Sequence, residues 1–311
     1  MRKMKNVTHI EGLLYQHNLS LKVTGDSSKN PGTQFINGTI DVATDNACLN
    51  IVSIHYTYVT AKTSKGNDDS RFTTLQNIIN GTICSVIEHG IDKAAKVRID
   101  SAIGVNEFYS TRTGEEQLVS AKRNEGGFIH VVQSLAADEA TRNTFECDMV
   151  ITHAREVEGD ADRGRPDSVK VGGYTFDFRN ALIPVEFTAL NKDAMNYFLN
   201  LEASPKNPCF TKVWGRQLSQ VTVVKTVEES AFGEQKVTET PYTNRDFVIT
   251  GAMTEPYVWD DESTITEAEF KQALADREIA LATIKQRQDE YNASKAQTAT
   301  PAPAAASGFN F

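Results

Sequence analysis

The chain is most easily read first by what it lacks. Only four of its 311 residues are cysteine, at positions 48, 84, 147 and 209. That spacing offers neither a zinc motif nor a disulfide framework, so free thiols in a reducing cytoplasm are expected. No run of about 18 apolar residues suggests a membrane helix, and the basic start "MRKMKNVTHIEG" leads into no signal-like apolar segment. There is no Gly-x-x-x-x-Gly-Lys loop, no Gly-x-Ser-x-Gly elbow and no His-Glu-x-x-His pair. The six histidines never fall at metal-ligand spacing, and the acidic pairs Asp68–Asp69 and Asp260–Asp261 sit in polar surroundings. The residues therefore point away from an enzyme, a metal centre and a bound cofactor.

What is present is a globular composition, 40% apolar and 23% charged, with a formal net charge of −9. The charge is uneven: the stretch from Glu255 to the end holds ten acidic and five basic residues, leaving the first 254 residues close to neutral. A near-neutral body can still present local basic strips to a polyanion.

Branched and aromatic residues mark strands in "LLYQHNLSLKV", "QFINGTIDVAT" and "NIVSIHYTYVT", separated by turn clusters. Phe72, Leu75, Ile78 and Ile79 recur at helical spacing after them, and strand-like segments then resume through "TFECDMVITHA". Three strands, a helix, then more strands is the order of an OB barrel, a five-stranded fold whose open face commonly holds single-stranded nucleic acid. The expected fold is thus mainly β, with an OB-like barrel and one helix over 1–158. A second β-rich region follows over 159–258, a helix over 259–295 and a low-complexity tail over 296–311. Thr266 and Glu269 form a capping box for that helix, whose apolar stripe of Phe270, Leu274, Leu281, Ile284 and Tyr291 is interrupted by Arg277 and Gln288. Such a stripe is expected to pack on the body rather than to build a coiled coil.

Residues 207–226 contain no aspartate or glutamate. Single strands are held by cations that track phosphates and by aromatic faces on which bases stack. Lys206, Phe210, Lys212, Trp214 and Arg216 interleave these two chemistries, and as a strand the even positions from 210 share one face. Core packing of Phe210 and Trp214 is the competing reading. A second candidate surface combines Tyr56 and Tyr58, expected on one face of a strand with His55 out of phase, with Lys62, Lys65 and Arg71 after them. Lys122, Arg123 and Arg179 are weaker additions.

Strand–helix–strand order, the basic-aromatic strip and an acidic C-terminal region ending in phenylalanine together resemble a bacteriophage single-stranded DNA-binding protein. The resemblance implies a non-enzymatic protein that coats single-stranded DNA during replication or recombination in a host cytoplasm. It also implies that Phe309 and Phe311 recruit replication or recombination proteins, although the tip "SGFNF" lacks the acidic side chains of that pattern. The rival readings are a virion structural or assembly protein and, behind it, a DNA-processing nuclease.

Overall fold

The computed structural model describes residues 3–298 except 27, 113, 229–231, 233–235 and 261–263. Phe309 and Phe311 lie outside the described residues. The chain is mostly β, and the eleven strands among the described residues join one sheet.

The first half comprises β1 (Asn6–His17), β2 (Ser20–Val23), β3 (Gln34–Ala43), β4 (Ile51–Thr60), α1 (Ser70–Ile79), the short α2 (Val86–His89), β5 (Lys96–Ser110) and β6 (Gln117–Val131). Strand β1 pairs antiparallel with β3 and with β5, β5 with β6, and β3 with β4. The parallel contact of Ile54 with Asn124, between β4 and β6, closes the circuit. Alternation drives the closure, because Ile36, Ile40, Ile54, Val97 and Ile99 all point into one buried cluster. Phe72, Leu75 and Ile78 of α1 cover its end, on the helical spacing expected from the sequence.

The second half repeats this plan with β7 (Asn143–Val157), β8 (Ser168–Phe176), β9 (Leu182–Ala189), α3 (Lys192–Asn200), β10 (Cys209–Glu228) and β11 (Lys236–Ala252). Here β7 pairs with β8 and β10, β8 with β9, β10 with β11, and β9 with β11 in parallel at Thr188 and Val248. Strand β7 therefore opens the second circuit instead of ending the first. The polar run 156–168 covers the end of β7, the β7–β8 connection and the first residue of β8, inside that circuit, and the change of unit falls between β6 and β7.

The first strands of the two circuits pair with each other antiparallel, from Asn6 opposite Cys147 to Ile10 opposite Asn143. Antiparallel pairing of equivalent strands relates the halves by an approximate two-fold axis. A reciprocal amide pair adds to this seam: Asn124 Nδ2 donates to Gln217 Oε1 at 2.8 Å and Gln217 Nε2 donates to Asn124 Oδ1 at 2.9 Å, both side chains buried.

The last helix, α4 (Glu267–Thr298), starts with the expected capping box. Glu269 N donates to Thr266 Oγ1 at 3.1 Å, and Thr266 N donates to Glu269 Oε2 at 2.8 Å. The helix packs on the body, as its narrow stripe suggests. The residues that break the apolar rhythm prove to be its anchors. Arg277 donates to both carboxylate oxygens of Glu107, at 2.5 and 3.1 Å, and its guanidinium lies over Tyr174. Gln288 clamps the backbone of Tyr109, accepting from its N–H and donating to its carbonyl. Tyr291, counted with the stripe in the sequence, is exposed instead.

Arg277→Ala leaves the Glu107 carboxylate buried without its partner, which costs about 3 kcal/mol. Urea unfolding should show that loss, whereas the joint change Arg277→Met with Glu107→Leu should recover most of it. An Arg277→Ala variant as stable as the parent would show that α4 does not depend on this pair.

Candidate nucleic-acid interface

Strand β10 carries the acid-free stretch, and its pairing decides where each side chain goes. Thr211, Val213, Gly215 and Gln217 are buried, and Lys212, Trp214, Arg216 and Leu218 alternate with them. The even positions share a face, as the sequence predicts, but that face is not open along its length. Phe210 is only 1% exposed, because Tyr257, Trp259 and Phe176 pack around its ring at centroid distances of 4.9–6.0 Å. The segment leading into α4 thus covers the start of the strip, and Phe210 is core. Lys212 lies 3.5 Å from Glu146, which also takes Lys5 at 2.6 Å. These lysines hold the Glu146 carboxyl below its ordinary range against the opposing effect of burial. Lys206 is exposed in the turn Ser204–Asn207, away from the strand.

Beyond that covered end the strip opens. Trp214 is 40% exposed, opposite Gly251 on β11. A β-carbon at Gly251 would come within 2.4 Å of the indole, so the ring lies directly across that glycine's backbone. Arg216 is exposed and has no carboxylate partner among the described residues.

Three depressions follow one another along β10. The first, about 700 Å³, lies between α3 and β11 and includes Arg216 and Gly251. The second, about 310 Å³, shares Arg216 and adds Leu218 and Ser219 against the 44–50 loop. The third, about 470 Å³, shares Leu218 and Ser219 and lies between the halves, bounded by Thr39, His55, Arg123 and Arg245. Shared lining residues, Arg216 between the first two and Gln217, Leu218 and Ser219 between the last two, place them side by side as successive parts of a groove. It runs from the second half onto the outward face of β3 and β4.

Farther along that face, Phe35 and Tyr58 stand together with ring centroids 4.6 Å apart. Tyr56 does not join them. Where the register slips beside Ile36 and Gly38 of β3, Thr57 and Tyr58 of β4 stand opposite the single residue Asn37, and this bulge in β4 shifts the phase, turning Tyr56 into the core and leaving Tyr58 exposed. Tyr56 Oη donates to the Gly127 carbonyl at 3.3 Å, and burial raises its pKa.

The carboxylates at the groove are mostly engaged. Asp41 accepts from Gln16 and Ser53, Asp45 from the backbone of Leu49 and Asn50, Glu139 from Asn46 N and Asp246 from Lys170. Asp193, at the start of α3, also faces the first depression. Arg245, like Arg216, is exposed with no carboxylate partner among the described residues. Arg123 pairs with Glu125 at 2.5 Å.

The remaining sequence candidates are scattered. Lys122 turns its ammonium inward, donating to the Glu186 carbonyl over the rings of Phe187 and Phe247, and burial lowers its pKa. It joins the halves and forms part of the wall of the third depression, with its charge turned inward. Lys62 pairs with Asp68 at 2.6 Å, and Lys65 is exposed in the same loop. Arg71 binds Asp69, the N-cap of α1, and Arg179 lies over the exposed ring of Phe178, outside the groove. Sequence reasoning missed Phe35 and Arg245, which reach the groove only through pairings between distant strands.

Among the described residues no group of three or more His, Cys, Asp or Glu could hold a metal ion, and no helix is long and apolar enough to cross a membrane. The four thiols are free, and burial pushes the one at Cys147 up to about 12.

The YorF family model matches residues 5–287, and the chain belongs to that family. No curated protein matches it. Among solved structures, the wild-type single-stranded DNA-binding protein from Thermus aquaticus is 10% identical, with 84% of this chain and 97% of that one covered and a TM-score of 0.44. At that level the likeness supports no functional assignment.

His55 gives the groove a pH signature. Burial first, and the Arg123 guanidinium second, lower its pKa from 6.5. A folded pKa below the unfolded one means that acidification favours the unfolded chain. The contribution of His55 is complete above about pH 6.5 and declines as pH falls below it. His55→Asn should therefore lose less stability than the parent between about pH 7.5 and 5.5, read as urea midpoints. An equal loss in both proteins would contradict this.

Proposed function

We propose that this YorF-family chain binds single-stranded DNA without sequence preference, in the groove that links its two halves. In this reading the two strand circuits are OB barrels and the protein coats single strands during phage replication or recombination without catalysing a reaction. The observation that carries it is the continuity of the groove along β10, with Arg216 and Arg245 unpaired among the described residues and aromatic rings toward either end. Trp214 supplies one stacking surface and the Phe35–Tyr58 pair the other. The groove's length and open sides suit a flexible strand better than a compact ligand.

The energetic terms are separable. Each phosphate contact made by a guanidinium releases counterions, giving a slope of about −0.7 per contact in log K against log salt for single strands. Stacking on one ring contributes about 1–3 kcal/mol and does not depend on which base is present. The net charge of −9 opposes association at long range, so binding should be strongest where added salt screens that repulsion without displacing the local contacts.

A labelled oligothymidylate titrated across a salt series provides the test. Arg216→Ala and Arg245→Ala should each reduce the magnitude of the salt slope by roughly 0.7. Trp214→Ala should weaken binding by about 1–3 kcal/mol at unchanged slope, with an unchanged melting temperature. Absence of binding at every salt concentration of the series, or tighter binding of duplex or RNA than of single-stranded DNA, would overturn the proposal. Defined large assemblies forming without nucleic acid would favour a structural role.

A further inference from the structure

The outward face of β5 and β6 holds a second cationic–aromatic patch that the groove does not include. Phe128 is 55% exposed there, although a phenyl ring gains by burial. Its position is fixed from both sides. Gly126 and Gly127 precede it with φ of 65° and 108°, and a β-carbon on Gly127 would lie 2.5 Å from the Asp100 carbonyl. The Arg71 guanidinium lies 5.4 Å from the ring centroid. That guanidinium is itself immobilised, since Arg71 Nε and Nη2 donate to Asp69 at 3.0 and 2.6 Å.

Basic and acidic side chains both border the ring. In the antiparallel register His130 lies opposite Arg98 and Phe128 opposite Asp100, on exposed positions of the two strands. Arg98 has no carboxylate partner among the described residues. The nearby carboxylates are occupied, Asp69 by Arg71, Asp100 by His9 at 2.8 Å, and Glu11, opposite Arg98 on β1, by the Ala136 N–H and by His9 at 3.6 Å. An exposed ring with a held guanidinium beside it and a free guanidinium nearby suits a nucleobase and its phosphate.

We propose that Phe128 is a second stacking platform for a single strand of DNA, with Arg98 neutralising an adjacent phosphate. A strand leaving the β3–β4 face would then continue around the first half onto β5 and β6. The proposal rests on the groove being the path of single-stranded DNA. It adds a contact on a different face, one that only strands longer than the groove can reach.

Oligothymidylates of about 8 nucleotides, within the usual span of one OB barrel, and of about 30, well beyond it, separate the two sites. Phe128→Ala should leave the short strand's affinity unchanged and weaken the long strand's roughly fivefold or more. Phe128→Trp in a Trp214→Phe background, read as the difference from Trp214→Phe alone because Trp259 also emits, provides a reporter that should be quenched by the long strand and not by the short one. Unchanged long-strand affinity together with unquenched emission would overturn the second platform while leaving the groove intact. If Phe128→Ala lowers the melting temperature, the tryptophan reporter alone decides. A parent protein that binds neither oligonucleotide would remove the groove reading and this one with it.

Discussion

The side chain and backbone of Gln217 hold the groove's floor in place. Its amide pairs reciprocally with that of Asn124 across the seam between the halves. Its carbonyl also accepts from Asn50, at 3.2 Å, and from Asn143. Asn50 in turn accepts from Ser219 N at 2.6 Å. A buried amide left with one partner missing costs about 1–3 kcal/mol, so these bonds set the seam firmly. Together with the β1–β7 ladder they fix the angle at which β10 crosses the end of the β3–β4 hairpin, and hence the width of the groove.

The near-symmetry of the halves makes their difference informative. In the first half the outward face of β3 and β4 is open around His55, Phe35 and Tyr58. In the second half the equivalent face of β8 and β9 is occupied. Tyr174 lies under Phe270 and Arg277, the Glu186 carbonyl receives Lys122, and Lys170 is committed to Asp246 and Thr188. One circuit thus supplies an exposed surface, and its partner serves as a wall and as a base for α4. The same five-strand plan reaches two ends because α4 and the long β5–β6 hairpin bury one face and leave the other.

Much of this architecture can be read from local patterns. The helical spacing of Phe72, Leu75 and Ile78 reproduces α1, the Thr266–Glu269 box marks the start of α4, and the alternation around Trp214 gives the correct facing of β10. What local patterns miss is what covers each face. Phe210 has the same parity as Trp214, yet Tyr257 and Trp259, some fifty residues later, bury it. A single bulge separates Tyr56 from Tyr58 although their spacing suits one face. Arg277 looks like a flaw in an apolar stripe until Glu107 is placed opposite. The internal repeat is carried by pairing order rather than by recurring residues, so periodicity alone does not reveal it.

A surface that binds nucleic acid in an acidic protein depends on segregation of charge. Here the segregation is achieved by engaging most nearby carboxylates with backbone and side-chain donors while two arginines stay uncommitted. Ultraviolet crosslinking of a thymidine oligonucleotide, followed by mass-spectrometric identification of the modified residues, tests this arrangement directly. The account requires adducts at Trp214 and at Tyr58 or Phe35 on the same molecule. Adducts confined to surfaces away from β10 and the β3–β4 face, or none at all, would contradict it.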